Sequence, residues 1–103
     1  LLDSLGQPGC PSALFVFGSN LVVSAPRAAH IESRLRSLDF LCVSDLFLSE
    51  TAAIADVVLP AAQWAEEDGT MTNLEGRVLR RRRATPPPPG VLTDAEAICR
   101  IAK

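Results

Sequence analysis

Three short apolar runs divide the first part of the chain. They are Ala13–Phe17, Phe40–Val43 and Val57–Leu59, and each ends at a turn residue or a polar residue. Continuous apolar runs of this length are typical of strands that are buried on both faces of a parallel sheet. The pattern therefore predicts three strands of one sheet.

Helical spacing fills the segments between these runs. After the first run, Ser24 is a predicted N-cap and Pro26 suits the first turn of a helix. A second, shorter helix is predicted from Ser49 through Ala55. The first of these helices has one apolar stripe, formed by Ala28, Ile31, Leu35 and Leu38.

The order strand, helix, strand, helix, strand over 13–60 predicts an α/β fold with right-handed crossovers. We expect a three-layer, Rossmann-like parallel sheet that forms part of a domain. The rest of the chain is interpreted as a loop and basic segment at 61–90, which contains a stiff proline run. A C-terminal helix at 93–103 follows, capped by Thr93.

Composition narrows the functional class. The net charge of −2 argues against a nucleic-acid or membrane-surface binder, and no apolar run is long enough to span a membrane. With three scattered cysteines and a single histidine, neither a metal site nor a catalytic Ser–His pair is expected, so no catalytic residue is assigned. The cytoplasm is the default compartment. Because the chain opens without Met, we expect it to be a piece of a longer polypeptide.

Two polar segments follow the first two predicted strands, and they are the candidate binding residues. Gly18, Ser19 and Asn20 follow the first strand, and Ser44 and Asp45 end the second. Ligands of open α/β sheets bind beyond the carboxyl ends of the strands, where an acidic side chain can hold a nucleoside. The alternative is that these residues merely form ordinary turns. No GxGxxG or P-loop motif is present.

Two charged clusters have weaker functional interpretations. Glu66, Glu67 and Asp68 resemble paired catalytic carboxylates, but a solvated face is the simpler interpretation. Arg80–Arg83 resembles a phosphate clamp, although a surface or subunit interface is more usual in an acidic protein. Trp64 is expected to pack beneath the adjoining loop.

An ordered series of short motifs carries the strongest signal. The series is Val43-Ser44-Asp45, Ser49-Glu50-Thr51-Ala52, Ala55-Asp56-Val57-Val58-Leu59-Pro60, Trp64-Ala65-Glu66, Gly69-Thr70 and Asn73-Leu74-Glu75-Gly76-Arg77. It resembles the molybdopterin oxidoreductase family, and the block is most similar to the assimilatory nitrate reductase branch. The upstream Gly18-Ser19-Asn20 also matches, although the family usually has a proline where Leu21 stands.

The resemblance implies a molybdenum cofactor carried by two molybdopterin guanine dinucleotides. Asn20, Ser44 and Asp45 would contact one nucleotide, and Asp94 matches another position that reaches the cofactor. Glu67 stands where some members carry a cofactor-binding lysine. The family also implies a 4Fe-4S cluster and the molybdenum ligand in an upstream part of the parent protein. The implied partners are the remainder of that polypeptide and an electron donor.

Three functions remain open. The motifs favour a nitrate reductase as the parent protein, and a formate dehydrogenase of the same family is its nearest alternative. The iron–sulfur subunit of NADH–quinone oxidoreductase shares several of the motifs without molybdenum. A free-standing interaction module that uses Arg77–Arg83 is the third function. For that module we expect a stable monomer, whereas a piece of a larger sheet should be marginally stable or self-associate through an unpaired edge.

Overall fold

The computed structural model describes all 103 residues as two compact units, Leu1–Pro60 and Ala61–Lys103. The first unit opens with a 3-10 turn at Leu2–Ser4 and contains another at Ala52–Ile54. Its regular elements, in chain order, are β1 (Ala13–Phe17), α1 (Leu21–Ser24), α2 (Ala28–Arg36), β2 (Phe40–Asp45) and β3 (Val57–Pro60).

The three strands of the first unit form a parallel sheet in the order β1-β2-β3. Phe17 pairs with Ser44, and Ser44 pairs with Leu59, so the carboxyl ends of all three strands lie at one edge. Because the order advances in one direction, right-handed crossovers carry both connections over the same face of the sheet.

That covered face holds the core of the first unit. Leu35 and Ile31 of α2 pack on it, and Val43 at its centre is fully buried. The buried members of the cluster are Leu5, Val16, Ile31, Leu35, Leu41, Val43 and Ala52. On the opposite face, the rings of Phe15 and Phe40 lie 5.7 Å apart, and Phe15 is 45% exposed.

The predicted N-cap of the long helix is wrong. Ser24 is the last residue of α1, and its hydroxyl donates to the Asn20 carbonyl at 2.9 Å. The residue before a proline is restricted to extended conformations, and Ala25, before Pro26, has ψ 148°. The helical path therefore stops at Ser24, and α2 begins only after Arg27, whose φ of 60° is left-handed. Pro26 lies in this break, outside the first turn.

The second unit is more regular than the predicted loop. It contains a 3-10 turn at Trp64–Glu66, an antiparallel hairpin of β4 (Gly69–Thr72) and β5 (Val78–Arg81), and α3 (Asp94–Ile101). At the hairpin turn, Asn73 Oδ1 accepts hydrogen bonds from the backbone N–H groups of Glu75 and Arg77, at 3.0 and 2.9 Å. This Asx-type turn aligns the two strands.

The cap of α3 is as predicted. The Thr93 hydroxyl accepts from the Glu96 N–H at 3.2 Å, and the Glu96 carboxylate accepts from the Thr93 N–H at 3.0 Å. This reciprocal pair is a capping box, which satisfies two backbone donors that the helix itself leaves open.

The predicted α/β class with a parallel sheet is confirmed. Within the first unit, the helices cover one face of the sheet, so this unit contains two of the three expected layers. No helix of the chain is both long enough and apolar enough to cross a membrane.

Leu35→Ala should lower the free energy of unfolding by about 2–5 kcal/mol, because it leaves a cavity beneath α2. Val23→Ala is the matched control, since Val23 is 64% exposed and its change should cost less than about 0.5 kcal/mol. Urea unfolding measures both. Equal effects would mean that α2 does not form the core described above.

The cap of α3 should weaken in acid. The Thr93 N–H, then the Thr93 hydroxyl, and then Arg100 and Arg83 lower the pKa of Glu96 below its ordinary value of 4.5. A carboxyl with a lowered pKa stabilises the folded state above its ordinary pKa, and that stabilisation disappears as pH falls through the lowered value. The Thr93 amide chemical shift should follow this titration. Glu96→Gln, which accepts without titrating, should flatten the curve, and an unchanged curve would contradict the assignment.

Candidate functional site

The predicted binding residues of the first unit come together at the carboxyl edge of its sheet. Gly18, Ser19 and Asn20 follow β1, and Ser44 and Asp45 end β2, which pairs with β1 in parallel. We call this edge the rim, and we define it as residues 18–20 together with 44–51. Its position follows from parallel pairing, which brings successive strand ends to one side.

Gly18 turns the chain at the end of β1. Its N–H donates to the Ser44 carbonyl at 2.8 Å and so extends the pairing of β1 and β2 by one bond. Its φ is +56°, and a Cβ built there meets no atom within 4 Å. Glycine is therefore needed here for its backbone conformation, and the space beside it is open to a ligand.

The side chain of Asn20 bonds to the loop that follows β2. Its Oδ1 accepts from the Thr51 hydroxyl at 2.8 Å and from the Thr51 N–H at 3.3 Å. Its Nδ2 donates to Glu50 Oε2 at 2.6 Å. One N–H of the Asn20 amide remains for any ligand.

Thr51 extends this network to α1. Its hydroxyl also accepts from the Val22 N–H at 3.0 Å, and the residue is completely buried. A buried hydroxyl that lost these partners would cost about 1–3 kcal/mol. The contact therefore ties the first turn of α1 to the loop after β2.

Asp45 organises the other end of the same loop. Its Oδ1 accepts from the Leu46 N–H and its Oδ2 from the Ser49 hydroxyl, both at 2.7 Å. A carboxylate oxygen accommodates about two donors, so each oxygen of Asp45 retains capacity for another. This half-buried carboxylate can therefore accept from two adjacent N–H donors of a ligand.

Ser44 differs from the other rim residues because it is buried, with 2% of its surface exposed. Its carbonyl accepts from Gly18, as described above. The structure therefore places Ser44 beneath the rim surface, where its backbone joins the two strands.

Glu50 is held as an anion at the rim. Its own backbone N–H and then the Asn20 amide lower the pKa of this carboxyl. An anionic Glu50 accepts the Asn20 amide proton most strongly near neutral pH.

The remaining predicted binding residue, Asp94, lies in the second unit. It is the first residue of α3 and follows the Thr93 cap.

The other charged candidates make local contacts within the second unit. Glu67 pairs with Arg81 at 2.8 Å, and the Asp68 carboxylate accepts from the Arg83 N–H at 3.2 Å. Glu66 forms a capping box with Gln63. The predicted packing of Trp64 beneath the loop is wrong, because Trp64 is 68% exposed and lies 6.0 Å from the Arg81 guanidinium. Arg81 and Trp64 line an open cavity of about 420 Å³ with Thr70 and Met71.

No group of three or more His, Cys, Asp or Glu side chains is placed to hold a metal ion. The cysteines are all free, and burial raises the pKa of Cys42.

Sequence reasoning missed Ser49, Glu50 and Thr51 as rim residues. Their pattern predicts only the start of a helix, whereas the structure places all three in contact with predicted site residues. The signal that could have found them is their position immediately after the turn that closes a parallel strand.

The comparisons with known proteins agree with this architecture. The family model for molybdopterin oxidoreductase matches residues 4–103. The alpha subunit of a formate dehydrogenase of Methanocaldococcus jannaschii is 53% identical over 90 residues, which cover 87% of this chain and 13% of that protein. The assimilatory nitrate reductase catalytic subunit of Bacillus subtilis is 47% identical over 89 residues, which cover 86% of this chain and 12% of that protein.

One more curated relative and one solved structure are also similar to the chain. A component of the NADH-quinone oxidoreductase of Rhizobium meliloti is 43% identical over 83 residues, which cover 81% of this chain and 10% of that protein. Among solved structures, acetylene hydratase from Pelobacter acetylenicus has the same fold, with a TM-score of 0.84 at 22% identity over 98% of this chain and 14% of that one.

The chain thus belongs to the molybdopterin oxidoreductase family. It spans only about an eighth of the length of the first curated relatives that it matches.

Gly18→Ala should destabilise the chain by about 1–2 kcal/mol, because alanine is strained in the left-handed region although space is available. Gly18→Asn is the matched control, since asparagine tolerates this region better and should cost less. Thermal unfolding followed by circular dichroism compares them. Equal stability of the alanine variant and the wild type would show that the left-handed turn is not required.

Proposed function

We propose that the chain is the segment of a larger molybdenum-dependent oxidoreductase that binds molybdopterin guanine dinucleotide at the rim. The observation that carries this proposal is the meeting of Gly18–Asn20 and Asp45 at one edge of a parallel sheet. Membership of the family and the small share of each relative that the chain covers support the proposal.

The rim residues fit a guanosine end by their chemistry. Asp45 is an anionic acceptor with unused capacity, and guanine presents N–H donors on one edge. The open space beside Gly18 admits a close approach of ligand to backbone. Ser19 adds a short hydroxyl group, and Asn20 bonds to the loop that follows Asp45. We also propose that Ser44 supports the rim from within β2 through its backbone. In the second unit, Asp94 is proposed on its own as a residue that reaches the cofactor.

When bound, the molybdenum cofactor would supply the redox chemistry, while this chain would bind and orient its nucleotide end. No residue of the chain is assigned a catalytic role. The 4Fe-4S cluster, an electron-donor partner and a cytoplasmic location remain proposals for the larger protein.

Formate oxidation is the leading candidate reaction, because the formate dehydrogenase relative has a higher identity to this chain than the nitrate reductase relative. Nitrate reduction is the second, supported by the motif series and by the nitrate reductase relative. A molybdenum-free role is a further alternative, because the NADH-quinone oxidoreductase relative matches over a similar span.

Assays on the longer protein distinguish these three functions. Its molybdenum content distinguishes the two molybdenum enzymes from the molybdenum-free role. Formate-dependent reduction of a dye identifies a formate dehydrogenase, and nitrate-dependent oxidation of a reduced dye identifies a nitrate reductase. A metal-free longer protein would overturn the molybdenum proposal.

Binding at the rim can be tested on the chain itself with GDP, which mimics the guanosine end. Asp45→Asn should weaken GDP binding at least about tenfold, because a charge-assisted acceptor is lost. ADP, which lacks the guanine donors, is the ligand control. Asp39→Asn is the matched protein control, since Asp39 is an exposed aspartate that precedes β2 at the opposite edge of the sheet. No saturable GDP binding by the wild type, or an equal effect of both variants, would overturn the assignment.

A further inference from the structure

We propose that Asn20, Thr51 and Glu50 form a latch that sets the distance between the two halves of the rim, so that Asn20 is chiefly a positioning residue. This inference rests on the proposed binding function. In it, these three residues hold the rim in shape and do not themselves bind the ligand. Thr51 and Glu50 would then be positioning residues of the same kind.

The hydrogen bonds of Asn20 indicate that it positions other residues. Both acceptor positions of Asn20 Oδ1 face Thr51, and one of its two amide protons goes to Glu50. Most of the bonding capacity of the side chain is therefore used inside the protein. Asp45, by contrast, accepts one hydrogen bond on each carboxylate oxygen and keeps capacity for a ligand on both.

Burial supports the same conclusion. Thr51 is completely buried, and its hydroxyl is both donor to Asn20 and acceptor from the Val22 N–H. Buried polar groups that are fully bonded hold their neighbours in one arrangement, because every alternative leaves a partner unsatisfied. The latch thus joins the β1 tip, the first turn of α1 and the loop after β2.

The loop after β2 is fixed at both ends. At its start, Asp45 accepts from the Ser49 hydroxyl, and at its end Glu50 and Thr51 bond to Asn20. Leu46, Phe47 and Leu48, which lie between Asp45 and Ser49, are at least half exposed and provide little packing. The loop therefore relies on these hydrogen bonds for its position, and the orientation of the Asp45 carboxylate depends on the loop through Ser49.

The first experiment removes the hydroxyl of Thr51. Thr51→Val keeps the shape of the side chain but leaves Asn20 Oδ1 and the Val22 N–H each without one partner, whereas Thr51→Ser keeps the hydroxyl. In the unliganded chain, Thr51→Val should shift the amide resonances of Gly18, Leu46 and Ser49 and speed hydrogen exchange at Val22. Thr51→Ser should restore both. Shifts confined to Asn20, Val22 and the neighbours of Thr51 would overturn the latch.

The second experiment reverses a hydrogen bond. Asn20→Asp keeps the acceptor for Thr51 but places a carboxylate against Glu50, so GDP binding should weaken roughly tenfold. The double variant Asn20→Asp with Glu50→Gln exchanges donor and acceptor, and it should recover most of the lost affinity. If Asn20 instead contacts the nucleotide through its own amide, the double variant will remain as weak as Asn20→Asp, which would overturn the proposal.

The two proposals can fail separately. If the wild type does not bind GDP, the proposed function fails, and the amide shifts of Thr51→Val still decide the latch. If Thr51→Val does not fold, the recovery of stability in the Asn20→Asp, Glu50→Gln double variant relative to Asn20→Asp decides it. Absence of that recovery overturns the latch.

Discussion

Parallel pairing of β1, β2 and β3 is the constraint on which the rest of the first unit depends. It fixes the carboxyl ends of the strands at one edge, and with right-handed crossovers it places α1, α2 and the turn at Ala52–Ile54 over one face. The rim is a direct product of that arrangement. Its residues come from two loops that are distant in the chain, and only the sheet brings them side by side.

The three strands could be predicted because each is a short apolar run between turn residues, a pattern that depends on local sequence alone. The cap of α3 was predictable for the same reason, since Thr93 and Glu96 stand at capping-box spacing. The start of α2 could not be predicted in this way, because Ser24 and Pro26 are also compatible with the end of a short helix. The restriction that Pro26 places on Ala25 decided between these interpretations.

The hairpin of the second unit was missed because each strand has only four residues, β4 has a single apolar side chain, and β5 ends in two arginines. Its pairing relies on the Asn73 turn and on the ion pair of Glu67 with Arg81, and neither gives a periodic signal. At the rim, the placement of Gly18 and Asp45 was predictable from strand ends. The bonds of Asn20 were not, since its partner Thr51 lies 31 positions away.

The rim residues differ in what they offer a ligand. Gly18 leaves open space, Asp45 carries a carboxylate with free acceptor capacity, and Asn20 uses most of its bonding groups within the protein. A polar residue at a strand end can bond to the ligand, to the protein or to both, and its hydrogen-bond partners show how much of its capacity the protein uses.

The sheet face that carries Phe15 and Phe40 sets a limit on how the chain behaves in water. Aromatic surface left in contact with solvent costs about 25 cal/mol for each square ångström, and adjacent rings concentrate that cost in one patch. This patch lies on the sheet face opposite α2, away from the strand ends that form the rim. A polar replacement of Phe15 would therefore remove exposed aromatic surface without changing a rim residue.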